Sequence, residues 1–337
     1  MAMKLGKQTF CFEKGVYYMA GASIVGKKEG EGPLGSCFDM VIKDDLWGED
    51  SFEKAERKMF SSAISQAIAK AKLQEDNIDL IIGGDLLNQI ISATFSAREF
   101  ALPFFGIYGA CSNMAQSLLL GACLINAGYC NHVVCATSSH FSSAERQYRF
   151  PLELGNQRPP TAQWTVTGAG AAVLSSAQAN VQIESATLGK IIDLGITDAN
   201  NMGAAMAPAA ADTLAAHFNE TASKPEDFDM IVTGDLGMLG KDILVDLLLQ
   251  KGFDVKNVLY DCGCMIFDQS QDAHMGGSGC GCSASVLNSY LLDGLNSGKY
   301  KRLLFAATGA MLSPTSALQG ETIPGISYAI NLRGAKV

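Results

Sequence analysis

Charged side chains are scarce in this chain: Asp, Glu, Lys and Arg make up 18% of its 337 residues, against 48% hydrophobic residues. So few charges do not cover the surface of so apolar a chain as a monomer, so the composition implies a large core together with a covered face. A homodimer is the expected form. Positive charge is the scarcer sign, with 25 Lys and Arg against 34 Asp and Glu and a formal net charge of −9. That balance excludes an electrostatic grip on a nucleic-acid backbone and leaves any anionic ligand to a local pocket. An apolar run of about 20 residues, the length of a membrane span, is also missing. The longest uncharged stretch, 100–144, is interrupted throughout by Gly, Ser, Asn, Pro and Gln. It reads as the buried centre of a soluble protein whose membrane contact, if it has any, is peripheral. The start Met1-Ala2-Met3-Lys4 carries no signal-peptide pattern, so the ten cysteines read as buried thiols in a reducing compartment and not as a disulfide framework.

Two further motifs are incomplete. Gly276-Gly277-Ser278-Gly279-Cys280-Gly281 has the glycines of a phosphate loop without its Lys-Ser/Thr ending; the glycines read as room for backbone to approach a pocket. Cys262-x-Cys264 and Cys280-x-Cys282 flank His274, but structural zinc sites use wider pairs. If 262–264 were a strand, those two thiols would point the same way. Neither a metal nor a cofactor is expected.

What is present is a repeat. Asp79-Leu80-Ile81-Ile82-Gly83-Gly84-Asp85-Leu86 aligns with Asp229-Met230-Ile231-Val232-Thr233-Gly234-Asp235-Leu236 at a shift of 150 (235 − 85). An amphipathic helix precedes each copy: 51–72 in the first, and in the second a helix starting around Pro208, a residue suited to a first helical turn, and running to Phe218. Cys111-Ser112 and Cys282-Ser283 each open a helix of small residues, 112–127 and 283–297, and each cysteine precedes a threonine (Thr137, Thr308) by 26 residues. Strands at 132–135 and 302–305 follow. The distance from Asp85 to Cys111 is 26 residues and from Asp235 to Cys282 it is 47, so the second copy holds an insertion of 21 residues (47 − 26) near 261–279. A loop or added hairpin is expected there. Two halves, 1–178 and 179–337, stacked through their small-residue helices, make a five-layer α-β-α-β-α sandwich with covered sheets.

Cys111 lies in Gly109-Ala110-Cys111-Ser112, where a strand turns into a helix. Unpaired backbone N–H groups and the helix dipole favour a thiolate there, so the position suits a nucleophile, the wall of a ligand pocket, or an inert buried thiol. Asp85 and Asp235 each fit a turn or helix cap, and together they fit a polar pocket floor between the two cysteine turns. His140 follows Ser138-Ser139 at a strand end and reads as a capping or core histidine, or as a ligand donor. Arg146, Arg149 and Arg158 suit surface ion pairs with Glu145 and Glu153; any one folded over the pocket would suit a dicarboxylate.

The doubled pattern resembles the thiolase superfamily. Residues 106–112 resemble the nucleophile elbow of ketoacyl synthase III, and Thr167-Gly168-Ala169-Gly170-Ala171-Ala172-Val173-Leu174 resembles the strand closing the first half of those enzymes. More narrowly, Gly84-Asp85-Leu86-Leu87-Asn88-Gln89, Ala136-Thr137-Ser138-Ser139-His140, Ala144-Glu145-Arg146-Gln147-Tyr148-Arg149, Asp193-Leu194-Gly195-Ile196-Thr197-Asp198 and residues 206–213 resemble the stage V sporulation protein AD family. This resemblance implies a thiolase-fold protein of endospore formers that binds dipicolinic acid, as the free dianion or a calcium chelate. It further implies work with other subunits of a spore membrane transport complex, after cytoplasmic synthesis and at the spore inner membrane.

The synthase resemblance implies a Cys, His and Asn set. Cys111 matches the Cys, Gly234 stands where the His is expected, and Cys280 or a neighbour stands for the Asn. A lone cysteine without base or oxyanion donor loses most of the power of a coupled site. The expected role is therefore binding without catalysis, around Cys111, Asp85, Ser138, Ser139, His140, Gly234, Asp235, Cys280 and Cys282. The alternatives are an acyltransferase using Cys111 with an unusual base such as His140, and a scaffold subunit with a vestigial pocket.

Overall fold

A computed structural model describes residues 3–149, 151–155 and 157–335. In chain order its main elements are β1 (Thr9–Val25), α1 (Phe52–Lys70), β2 (Leu80–Gly84), α2 (Ile91–Phe100), β3 (Phe104–Gly106), α3 (Asn113–Ala127), β4 (His132–Ser139), α4 (Phe141–Tyr148) and β5 (Gly168–Ser175). The second set is β6 (Val181–Thr187), α5 (Met202–Thr221), β7 (Met230–Thr233), α6 (Gly237–Gln250), β8 (Leu259–Asp261), α7 (Cys280–Val286), α8 (Leu292–Asn296), β9 (Arg302–Ala310) and β10 (Gly325–Arg333). The strands lie in the order β3-β2-β4-β5-β1-β6-β10-β9-β7-β8. Counting outward from the antiparallel junction of β1 and β6, where Thr9 faces Thr187, adding five to each strand of one side gives the other side. In each half the three outer strands run parallel, and the fourth and first pair antiparallel.

Both faces of the sheets are covered. α1 and α2 pack on one side of the first half, α5 packs against β6, β9 and β10 with α6 beside it, and α3 and α7 lie in the middle, with α3 touching strands of both halves. This is the expected five-layer mixed α/β architecture. Residues 133–139 of β4 and all of β5 are buried, which is why neither strand alternates polar with apolar residues. α1 begins where Ser51 Oγ accepts the Lys54 N–H at 3.3 Å, and it turns Met59, Phe60, Ala63, Ile64 and Ala67 inward at helical spacing.

One expectation changes and two open ones resolve. α5 does not start at Pro208 but six residues earlier, behind Asn201, whose side chain accepts the Ala204 N–H at 3.4 Å. Pro208 lies inside the helix, where it removes one backbone donor. Residues 262–264 are not a strand: Cys262–Ile266 forms a helical turn because Asp261 caps it, Oδ1 accepting the Cys264 N–H at 3.1 Å. The inserted segment is not a hairpin either. After that turn it ends in Gly277–Ser278, which pairs in parallel with Trp164–Thr165 from the first half.

Candidate functional site

The turn after β3 builds the site. Ala110 has φ +49°, a left-handed conformation that costs a non-glycine residue about 1 kcal/mol or more. Its neighbours hold it there. Gly109 O accepts both the Ser112 N–H at 3.1 Å and the Ser112 hydroxyl at 2.6 Å, and Asn113 Oδ1 accepts the Gly109 N–H at 2.6 Å. Asn113 Nδ2 also donates to Asp85 O at 3.2 Å, tying the elbow to the end of β2. In the second half the left-handed residue is Gly279, φ +95°, immediately before Cys280. On backbone conformation, then, Cys280 and not Cys282 stands where Cys111 stands.

Cys111 faces Asp235 across this junction. The Asp235 carboxylate and the Gly279 N–H lie close enough to act on the sulfur electrostatically. Asp235 is fully buried and accepts from the Thr308 hydroxyl at 2.9 Å and the Gly279 N–H at 3.3 Å. Burial, and then the Asp235 charge, push the Cys111 thiol well above its ordinary value. At neutral pH Cys111 is a thiol and not a thiolate, the opposite of what an elbow nucleophile needs.

Beside Cys111 opens a narrow cavity of about 40 Å³. Leu86, Ala110, Ala144, Met202, Ala310 and Leu312 form apolar walls, while Tyr148, Thr165, Ser278, Glu145 and Arg149 supply polar ones. Tyr148 is fixed by donating its hydroxyl to Leu86 O at 2.6 Å. Arg149 Nη1 lies 3.3 Å from Glu145 Oε2.

Of the residues expected at the site, Cys111 lines the cavity, Asp235 lies beside Cys111, and Cys280 packs in one apolar cluster with Cys111, Leu86, Ala110 and Ala144. The others do not line the cavity, although Ser138 O accepts the Cys280 thiol at 2.9 Å and Ser139 Oγ accepts the Gly281 N–H at 3.0 Å. Asp85 accepts the N–H groups of Leu87 at 2.7 Å and Ala93 at 2.8 Å, so it caps the loop into α2 and is not a pocket floor. Ser138 donates to Glu56 Oε1 at 3.0 Å, and Ser139 donates to Val166 O at 2.7 Å. His140 caps α4, Nδ1 accepting the Ser142 N–H at 3.1 Å, and its Nε2 lies 2.8 Å from Asp45 O. Gly234 packs against Ser283 and Ala307, and its carbonyl accepts the fully buried Cys282 thiol at 3.4 Å. Among the described residues, no three His, Cys, Asp or Glu side chains gather as a metal site. The ten cysteines are free thiols.

Arg149, one of the three arginines offered for the pocket, borders it, while Tyr148, Glu145, Thr165, Ser278 and Met202 are additions that the sequence did not mark as cavity residues. A signal existed for two of them, since Glu145 and Tyr148 share a family-like motif with Arg149. Thr165 and Ser278 had none, because the pairing of two short strands places them.

Several carboxylates are buried without a cationic partner. Burial raises both Glu29 and Asp235 to about 7. Glu56, held by Ser138 and by Ser143 at 2.8 Å, is raised by burial and then by the Asp85 charge. The folded chain thus keeps protons that the unfolded chain has released. The resulting stabilisation is complete below the unfolded carboxylate range and disappears as pH climbs through about 7. The melting temperature is expected to fall by about 3 °C or more between about pH 6 and pH 8.5. Scanning calorimetry checks this, and a rising midpoint would contradict it.

A family model described as Stage V sporulation protein AD matches residues 6–333. A stage V sporulation protein AD of Bacillus subtilis (strain 168) is 44% identical over 329 residues, covering 97% of this chain and 97% of that one. Among solved structures, 3-oxoacyl-[acyl-carrier-protein] synthase III from Aquifex aeolicus VF5 superposes with a TM-score of 0.58 at 15% identity, covering 95% of this chain and all of that one. Human mitochondrial 3-ketoacyl-CoA thiolase, solved in complex with CoA, gives 0.58 at 13% identity, with 97% and 99% covered. At such identities these likenesses carry the fold alone.

Proposed function

The chain belongs to the stage V sporulation protein AD family, and from that premise we propose that it binds dipicolinic acid, pyridine-2,6-dicarboxylate, in the Cys111 cavity and supports its uptake into the forespore without a condensation step. It is a sporulation protein with the thiolase fold. The observation that carries the non-catalytic reading is the Cys111–Asp235 pair. A nucleophilic cysteine needs a base to take its proton and a donor for the oxyanion. Here the group facing the sulfur is a buried carboxylate, which cannot stabilise a thiolate as an imidazolium does. His140, the base an acyltransferase would need, spends both ring nitrogens on the Ser142 N–H and Asp45 O.

The rest of the reading is also ours. The chain works peripherally at the spore inner membrane with other subunits of a transport complex; among the described residues no helix is long and apolar enough to cross a membrane. A homodimer fits the bare edge strand β3, where Phe105 is 54% exposed and Ile91, Phe95 and Tyr108 are exposed beside it. Calorimetric titration with dipicolinate, with and without calcium, tests the ligand and its form. Saturable binding in either series is expected, and none at millimolar ligand overturns the proposal. An acyl adduct on Cys111 after incubation with acyl-CoA, read by intact mass, would favour the acyltransferase instead.

A further inference from the structure

Arg149 stands where two spaces meet. On one side is the Cys111 cavity; on the other is a smaller cleft lined by Gln163, Asn200 and Ala199. Arg149, Thr165, Met202 and Ser278 border both. Arg149 therefore borders a mostly apolar room and a more polar one. It sits just past the last turn of α4, its own N–H bonded to Glu145 O at 2.7 Å, with its side chain only 17% exposed.

Its ion pair with Glu145 is incomplete. The two charges lie 3.3 Å apart, but Arg149 Nη1 and Glu145 Oε2 are both buried and neither completes a hydrogen bond. A buried pair offsets its desolvation only when its remaining donors and acceptors are satisfied. Thr165, which borders the same cavity, offers Glu145 a hydroxyl if it leaves Arg149. Neighbouring arginines are engaged elsewhere: Arg146 pairs with Glu53, and Arg158 donates to Asp272 O at 2.8 Å.

We infer that Arg149 is the carboxylate anchor of the cavity, and that Glu145 is an internal carboxylate which an incoming ligand displaces from it. The inference rests on the dicarboxylate reading above and names the group that selects the ligand's charge. A guanidinium fork matches a carboxylate through two parallel N–H donors, which the single contact to Glu145 does not use. Thr165 and Ser278 add hydroxyls beside it, and Leu86, Met202 and Leu312 leave apolar wall for an aromatic ring.

Dipicolinate and its uncharged isostere pyridine-2,6-dicarboxamide, titrated into the full chain, separate the possibilities. Wild type is expected to prefer the dicarboxylate by about 10-fold or more, as charge-assisted hydrogen bonds imply. Arg149→Gln should weaken dipicolinate by about 10- to 30-fold and bring the preference to within about threefold of unity, with Arg149→Lys between. Glu145→Gln, which removes the competing charge at constant size, should tighten dipicolinate by about threefold or more. A merely structural Arg149 would weaken both ligands alike. An unchanged preference in Arg149→Gln, or weaker binding in Glu145→Gln, overturns the inference while the cavity reading stands. Wild type that binds neither ligand removes both.

Discussion

Cys111→Trp is expected to weaken dipicolinate binding by more than about 100-fold, while Cys111→Ala leaves it within about threefold. The indole would grow into the narrow cavity that Cys111 borders. It would occupy the space proposed for the ligand ring between Leu86, Met202 and Leu312. Alanine removes only a neutral thiol that makes no covalent bond in this account. Calorimetry on both variants, with circular dichroism to confirm folding, is the check. A Cys111→Ala protein that loses binding as completely as Cys111→Trp would point to a direct role for the sulfur.

Gly309→Val should cost about 3 kcal/mol or more of stability and abolish binding in whatever protein still folds. Gly309 lies on β9 directly against the elbow: a Cβ there would stand 2.1 Å from Gly109 O and 3.2 Å from Ser112 N. That carbonyl is the acceptor that holds Ser112 in place behind Cys111. Neither neighbour is the free end of a side chain, so the elbow itself must move. Urea unfolding measures the loss, and a variant of wild-type stability would contradict the close approach of the two halves at this point.

Much of this framework was legible because the chain repeats itself at constant spacing. The outer strands β2 and β7 and the position of the insertion follow from matched stretches, but the 26-residue interval from Cys282 to Thr308 misplaces the second elbow: Ala306 stands opposite Thr233 as Ala136 stands opposite Gly83, so Thr137 corresponds to Ala307. β1 and β6, which join the halves, were not legible. β1 changes partner along its length, and its pairing with β6 shifts register between Cys11 and Val16, next to Gly15, so no single alternation marks it as one strand. α5 was misread for a local reason: Pro208 suits a helix start, yet the Asn201 cap sets the start.

The site divides the same way. Cys111 and Asp235 carry a backbone signal, the elbow turn and the repeated strand end, and they meet. Ser138, Ser139 and His140 share the strand end nearest the elbow, but their orientations are set by Glu56, Val166 O and the start of α4, none of which is visible in their own stretch of sequence. Arg149 was one of three candidates in its loop. What distinguishes it is where Arg146 and Arg158 find their partners, Glu53 and Asp272, which only the folded chain reveals.

The most direct test of a non-covalent ligand cavity at an inherited elbow is a crystal structure of the chain grown with dipicolinate. The account predicts the ligand beside Cys111 with a carboxylate on Arg149, Glu145 turned away, and the sulfur unmodified. Dipicolinate bound elsewhere, or a covalent bond to Cys111, would contradict it.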